Sequence, residues 1–233
     1  MDFNDKTVMV TGASGNLGRA VAERFGAAGA RLVLVDRERS HLERAFGSEN
    51  DQRLFAPANL LDSGQLEAAV ASARERFGRI DVLCNLAGGF RMGHPVHETP
   101  DQDWNFLFDL NARSVLNAIR AVVPGMTDGG GKIVNIAAYA ALKGVAHMGA
   151  YCASKDVVIR LTEAMAAELR DSGINVNCVL PSIIDTPENR KAMPDADPGR
   201  WVSPSALADV IAFLASDGAR AIHGAAIPVT GLS

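Results

Sequence analysis

Cysteine is scarce in this chain, with three residues, Cys84, Cys152 and Cys178. An odd set without paired ligand spacing builds neither a disulfide framework nor a zinc site, so each thiol is expected to pack as a small hydrophobe. Cys152 has no histidine within a few residues to activate it as a nucleophile. Positive charge is not in excess either: 23 Lys and Arg face 27 Asp and Glu, for a formal net charge of -4. Such a surface does not suit phosphate backbones, and no nucleic-acid partner is expected. No apolar run approaches the roughly 18 residues of a membrane helix. The amino terminus, MDFNDK, lacks both a basic cluster and an export core. The expected address is the cytoplasm, with no membrane partner. His94, His97 and Glu98 have no third ligand at a diagnostic spacing, so no metal is expected. Linkers, low-complexity tracts and tandem repeats are missing as well, and 233 residues suffice for a single domain spanning 1–233.

What the chain does contain is an alternation. Short β-branched or apolar runs recur at Thr7 to Val10, Arg31 to Val35, Arg53 to Pro57, Ile80 to Asn85, Lys132 to Ile136, Ile174 to Leu180 and Ala225 to Val229. These read as buried strands. Between most of them lie stretches with helical spacing, such as Leu66, Ala69, Val70 and Ala73, or Val157, Leu161, Ala164, Met165 and Leu169. Strand followed by helix, repeated, predicts an α/β fold: a doubly wound Rossmann-type domain of about seven parallel strands with helices on both faces. A Pro-rich piece, Pro187 to Trp201, interrupts the alternation, and residues 182–201 read as a lid.

Directly after the first strand, VTGASGNLGRAVA sets Gly12, Gly15 and Gly18 at G-x-x-G-x-x-G spacing and opens a helix. Glycines there let the backbone turn tightly and approach a pyrophosphate, which the first helical amides face. Ser14 and Asn16 are candidate side-chain donors to the same phosphates. Asp36 ends the second strand, where a carboxylate accepts both hydroxyls of an adenosine ribose and repels a 2′-phosphate. This favours NAD(H), while the guanidinium of Arg37 leaves NADP(H) possible. Further along, Tyr151 and Lys155 stand at i and i+4 on a helix expected from about Gly149 to Arg170. An ammonium held beside a phenol lowers its pKa, so the pair is expected to make Tyr151 a proton shuttle.

These pieces together resemble the short-chain dehydrogenase/reductase superfamily over nearly the whole chain. The resemblance rests on the glycine turn Thr11 to Gly18, NLAG at Asn85 to Gly88, Asn111, Tyr151 with Lys155, LPSIIDT at Leu180 to Thr186, and IHGAAIPVTG near the end. It implies hydride transfer, with Tyr151 as proton donor or acceptor, Lys155 holding the nicotinamide ribose and tuning the tyrosine, and Asn111 anchoring a relay water. It also implies coenzyme contacts from Leu17, Asn59, Leu60, Asn85, Ala87, Gly88, Pro181, Ile184 and Thr186, and a homotetramer or homodimer.

One position departs from that pattern. Thirteen residues before the tyrosine the family usually carries a serine, and this chain has Ala138. Loss of one preorganised donor costs on the order of 3 kcal/mol where negative charge develops. Activity is then weak, another hydroxyl serves, or the substrate develops less oxyanion. The last option agrees with a second resemblance, to the dihydropteridine reductase branch, carried by AGGF at Ala87 to Phe90, the pattern from Ala140 to Tyr151, and DTPENRKAMPDADPGRW at Asp185 to Trp201. That branch implies reduction of a quinonoid dihydropterin or a similar C=N system. A carbonyl or 3-oxoacyl reductase, an alcohol dehydrogenase, and an NAD(H)-binding regulator with weak catalysis are the alternatives. Phe90, His147, Met148, Trp201 and Ala138 are the candidates to line the small-molecule substrate's pocket, since flat apolar faces suit a planar ring.

Overall fold

Seven strands pair in parallel in the order β3-β2-β1-β4-β5-β6-β7 in the computed structural model, which describes all 233 residues. They are β1 (Thr7–Thr11), β2 (Arg31–Val35), β3 (Arg53–Phe55), β4 (Val82–Asn85), β5 (Gly131–Ile136), β6 (Ile174–Pro181) and β7 (Ala226–Val229). The expected strand count, direction and doubly wound class hold. β3 is shorter than Arg53 to Pro57, because Pro57 has no N–H to give, yet Ala56 and Ala58 still donate to Leu34 and Asp36 on either side of it. β4 starts later than Ile80, since Asp81 is occupied with Thr7, whose N–H it accepts at 2.9 Å.

Alternate residues of each central strand enter opposite cores. Met9, Val33, Ile133 and Val176 face one apolar cluster, whereas Val8, Val10, Leu32, Leu34 and Val134 face the other. That division is the period of two of a sheet buried on both sides. The first cluster lies under α3 (Ser63–Phe77), α5 (Ser114–Val122) and α6 (Gly149–Leu169). The second lies under α1 (Asn16–Gly26), with Leu42 of α2 (Arg39–Phe46), and α8 (Pro204–Leu214). Starts are set locally: Asp62 accepts from Gln65 N at 3.1 Å to cap α3, and Ser203 accepts from Ala206 N at 3.1 Å ahead of Pro204 to cap α8. The helical stretch from Asp101 to Val122 is three pieces: α4 (Asp101–Phe108), a π turn at Asp109–Arg113, and α5. The lid region holds α7 (Pro187–Ala192), and no helix is long and apolar enough to cross a membrane.

The chain reverses direction across the sheet between β1 and β4, so the loops leaving those two strands diverge there and open a crevice. Gly12 and Gly18 permit the approach. Gly12 has φ +64, and a Cβ on it would sit 2.9 Å from the backbone of Ala87; one on Gly18 would sit 2.2 Å from Gly12 O. Gly18→Ala is therefore expected to lower the unfolding midpoint by roughly 5–10 °C, since backbone cannot yield as a side chain would. Gly144→Ala, where nothing lies within 4 Å, should leave it unchanged in the same thermal melts.

Candidate active site

The crevice is a cavity of about 720 Å³, a volume suited to a cofactor. It brings together Gly12, Ser14, Gly15, Asn16, Leu17, Gly18, Asp36, Arg37, Asn59, Leu60, Ala87, Gly88 and Thr186, all read from the sequence as coenzyme contacts. It also recruits Phe106, Asp109 and Leu110 from α4 and the π turn, which the sequence gave no reason to select. The residues fit a dinucleotide on two counts. No side chain caps α1, no acid occupies its first turn, and the amides of Asn16, Leu17 and Gly18 have no partner, leaving the positive end of the helix open to an anion. Gly12 and Gly18 keep the turn free of Cβ atoms where the backbone must come close.

The two polar side chains of the turn both have partners within the protein. Ser14 donates its N–H (3.1 Å) and its hydroxyl (2.5 Å) to one oxygen of Asp36, and Arg37 N–H donates to the other at 2.8 Å. These bonds fix the carboxylate at the end of β2. Asn16 Nδ2 donates to Glu188 Oε2 at 2.7 Å. Asn85 stays inside the sheet, its Nδ2 bonded to Asn135 Oδ1 at 2.9 Å, while Asn135 Nδ2 reaches Thr162 Oγ1 at 2.9 Å. Pro181 is buried at the end of β6, and Ile184 packs on the second apolar cluster.

Tyr151 and Lys155 stand on α6. The helix runs Gly149–Leu169, with Arg170 passing into a 3-10 turn, one residue short of the expected end. Lys155 is buried, and its Nζ donates to Ile136 O at 3.0 Å. Asn111 lies fully buried in the π turn: its Oδ1 accepts from Gly89 N at 2.8 Å, and its Nδ2 donates to Gly89 O and Ser154 Oγ, each at 3.0 Å. Both groups converge on Gly88, where a Cβ would lie 2.9 Å from Lys155 Nζ and 3.0 Å from Asn111 Oδ1. Ser154, not singled out from the sequence, completes the set by donating to Tyr151 O at 2.8 Å; its place three residues after the tyrosine was the available signal.

Charge behaves differently from the sequence expectation. Burial pushes the Tyr151 phenol up to about 12, and Lys155 does not pull it down. The Lys155 ammonium is itself pushed down to about 8 by burial. Desolvation outweighs the attraction because the ammonium faces Ile136 O, so in the chain alone Tyr151 is a protonated acid.

Around Tyr151 the surroundings are apolar. Phe90 meets its ring edge-on, with centroids 4.8 Å apart and planes at 84°. Ala138 is buried and extended at the end of β5, in the position expected from the spacing. Three hydroxyls are engaged within the protein: Ser154 Oγ donates to Tyr151 O at 2.8 Å, Ser182 Oγ donates to Thr230 O at 2.9 Å, and Thr186 Oγ1 accepts from Asn189 N to cap α7. His147 and Met148 line a second cavity of about 20 Å³ with Arg91, His94 and Asp103, large enough for one water-sized guest. Arg91 pairs with Asp103 and lies 4.2 Å above the ring of Phe106. His147 is held at φ +63 while its carbonyl accepts from Gly93 N at 2.9 Å. Trp201 is buried and lines neither cavity. All three cysteines are buried and free, and burial raises the Cys84 and Cys178 thiols, in keeping with packing roles. His97 faces Glu98 at 3.4 Å on the surface, and no three His, Cys, Asp or Glu side chains cluster to hold a metal.

The short chain dehydrogenase family model matches residues 6–197. The meso-2,3-butanediol dehydrogenase of Serratia marcescens is 35% identical over 240 residues, covering 99% of this chain and 95% of that one. The 2-(R)-hydroxypropyl-CoM dehydrogenase of Xanthobacter autotrophicus is 34% identical over 243 residues, covering 97% of each. A crystal structure of NAD+-bound xylitol dehydrogenase superposes with a TM-score of 0.90 at 29% identity, covering 99% of this chain and 100% of that one. The chain belongs to the short-chain dehydrogenase family and is an NAD(P)-dependent oxidoreductase.

Burial of Lys155 sets a stability cost with a defined pH window. Below pH 8 the folded and unfolded chains both carry the proton, and the full cost applies. Between about 8 and the ordinary value of 10.5 the folded chain binds fewer protons than the unfolded one, so stability rises with pH. Lys155→Met is expected to raise the unfolding midpoint at pH 7 by roughly 5 °C, and to show a smaller gain at pH 9.5, still below the range in which Tyr151 titrates. Thermal melts at the two pH values check this; an equal gain at both would contradict it.

Proposed function

We propose that this chain is a reductase that uses NADH to reduce a flat conjugated acceptor, with a quinonoid dihydropterin-like C=N system as the type substrate. The bound coenzyme supplies the hydride. The glycine turn and the first amides of α1 hold its pyrophosphate. Asp36, aimed by Ser14 and Arg37, takes the hydroxyls of the adenosine ribose and favours NAD(H). Lys155 binds the second ribose, and Tyr151 gives the proton.

The observation that carries this reading is the meeting of Lys155 and Asn111 at Gly88, on the wall of the nucleotide cavity, one helical turn from a phenol that burial keeps protonated. A neutral phenol donates rather than accepts, which supports the reductive direction. Without a hydroxyl at Ala138, a single donor must suffice, and it suffices best where charge spreads over a ring. Phe90, Met92, Tyr139 and Leu142, exposed on the loops leaving β4 and β5, offer apolar faces to such a ring. A second reading, oxidation of a secondary alcohol or reduction of its ketone, is supported by the names of the two curated relatives. A regulator without catalysis has less need of Tyr151, Lys155 and Asn111 together. The same proposal has the chain working in the cytoplasm as a homodimer or homotetramer, a role for which the partly exposed Trp104, stacked on Phe108, is a supporting surface.

NADH consumption with quinonoid dihydropterin beside a panel of ketones tests the choice. Turnover with the pterin is expected, falling at least about a hundredfold in Tyr151→Phe. Ketone turnover without pterin turnover favours the second reading, and NADH binding with no turnover at all favours the regulator. Ala138→Ser should raise any ketone activity by roughly tenfold to a hundredfold. An unchanged or lower rate in that variant would overturn the account of the alanine.

A further inference from the structure

The lid is tied to the body of the protein in an uneven way. At its base, Asp185 N donates to Val202 O at 2.8 Å and Val202 N to Ile183 O at 2.9 Å, closing the segment on itself. Within it, Arg190 grips Asp185 through Nε (2.6 Å) and Nη2 (2.8 Å), and Asn189 Nδ2 donates to Ile184 O at 2.8 Å. α7 buries none of its residues. From Thr186 to Gly199, one hydrogen bond reaches beyond residues 182–201: Asn16 Nδ2 to Glu188 Oε2, at 2.7 Å.

That bond ends at the first residue of α1, beside the amides with no partner. Arg19 Nη2 donates to Asn16 Oδ1 at 2.9 Å, and a guanidinium only donates, so it turns the Asn16 amide with its NH2 toward the lid. A carboxylate from the lid thus stands beside the start of a helix whose own first turn has no acid. Thr186, two residues before Glu188, lines the nucleotide cavity. Lid and phosphate site are therefore neighbours sharing one donor.

We infer that Glu188 latches the lid to the glycine turn through Asn16, and that a coenzyme pyrophosphate releases the latch by taking the place of the carboxylate. It rests on the assignment of coenzyme phosphates to α1. Two like charges at one helix end repel, and the phosphate, met by three free amides, has the better set of donors. Coenzyme entry then frees α7 to move, so that filling the nucleotide site reports to the substrate side through a single side chain. Glu188 is a positioning residue and touches no reacting atom.

The test compares wild type, Glu188→Ala and Asp195→Asn, the last removing an exposed lid carboxylate that makes no bond. NADH affinity is read by fluorescence titration, and lid mobility in the coenzyme-free chain by the rate of tryptic cleavage after Lys191. Glu188→Ala is expected to bind NADH roughly threefold to tenfold tighter, with lid cleavage faster by a similar factor. Inorganic pyrophosphate should speed cleavage of wild type and leave Glu188→Ala unaffected. An unchanged or weaker NADH affinity, an unchanged cleavage rate, or the same effects in Asp195→Asn would overturn the latch. Wild type that binds no NADH would instead sink the coenzyme assignment, while cleavage of the coenzyme-free chain judges the latch separately.

Discussion

A carboxamide buried away from water must find protein partners for its polar atoms, and Asn111 meets that demand by joining three segments. Its oxygen and nitrogen clamp both backbone groups of Gly89, and its nitrogen also reaches Ser154 beneath Tyr151. The loop after β4 and the start of α6 are thereby set relative to one another, and Lys155 comes against Gly88, which lines the nucleotide cavity. The π turn at Asp109–Arg113 belongs to the same constraint, because the extra residue per turn breaks the helix where its side chain must point inward. An unsatisfied buried amide costs about 1–3 kcal/mol, so the three bonds hold one another in place.

The electrostatics follow from the same burial. Enclosure that orders Tyr151 and Lys155 also disfavours charge on both, moving the phenol up and the ammonium down. The two values, ordinarily close with the ammonium the slightly weaker acid, move apart and exchange order, so the tyrosine becomes the weaker acid of the pair. The site is thus arranged to hold a proton ready rather than to have lost it. The protonated state of the phenol follows from the pocket's dryness more than from the spacing between the two residues.

Periodicity and punctuation made most of the fold legible. All seven strands, the long catalytic helix and the glycine turn follow from β-branched runs, a 3.6-residue rhythm and G-x-x-G-x-x-G. The partners of Ser14 and Asn16 were hidden because a hydroxyl or amide in a turn has several acceptors within reach, and only three dimensions show that Asp36 and Glu188 take them. Phe106 and Leu110 were invisible for a related reason: they line the nucleotide cavity from α4 and the π turn, which carry no motif, while the Arg91–Asp103 pair joins the loop after β4 to α4 at the smaller cavity. The acidity of Tyr151 was read from helical spacing, which fixes a face but not the direction of a lysine's four-carbon stem.

The alanine at 138 can be weighed against this framework. The bonds that hold Tyr151, Lys155 and Asn111 run through Ile136 O, Gly89 and Ser154, and behind them a buried ladder joins Asn85, Asn135 and Thr162. Residue 138 contributes its backbone, accepting from Ala141 N at 3.0 Å, and nothing from its side chain. A serine there would add a donor to the substrate and no support to the scaffold. Its replacement therefore alters the chemistry asked of the acceptor while leaving the architecture of acid and lysine intact, and a site can remain fully assembled while having changed what it is able to reduce.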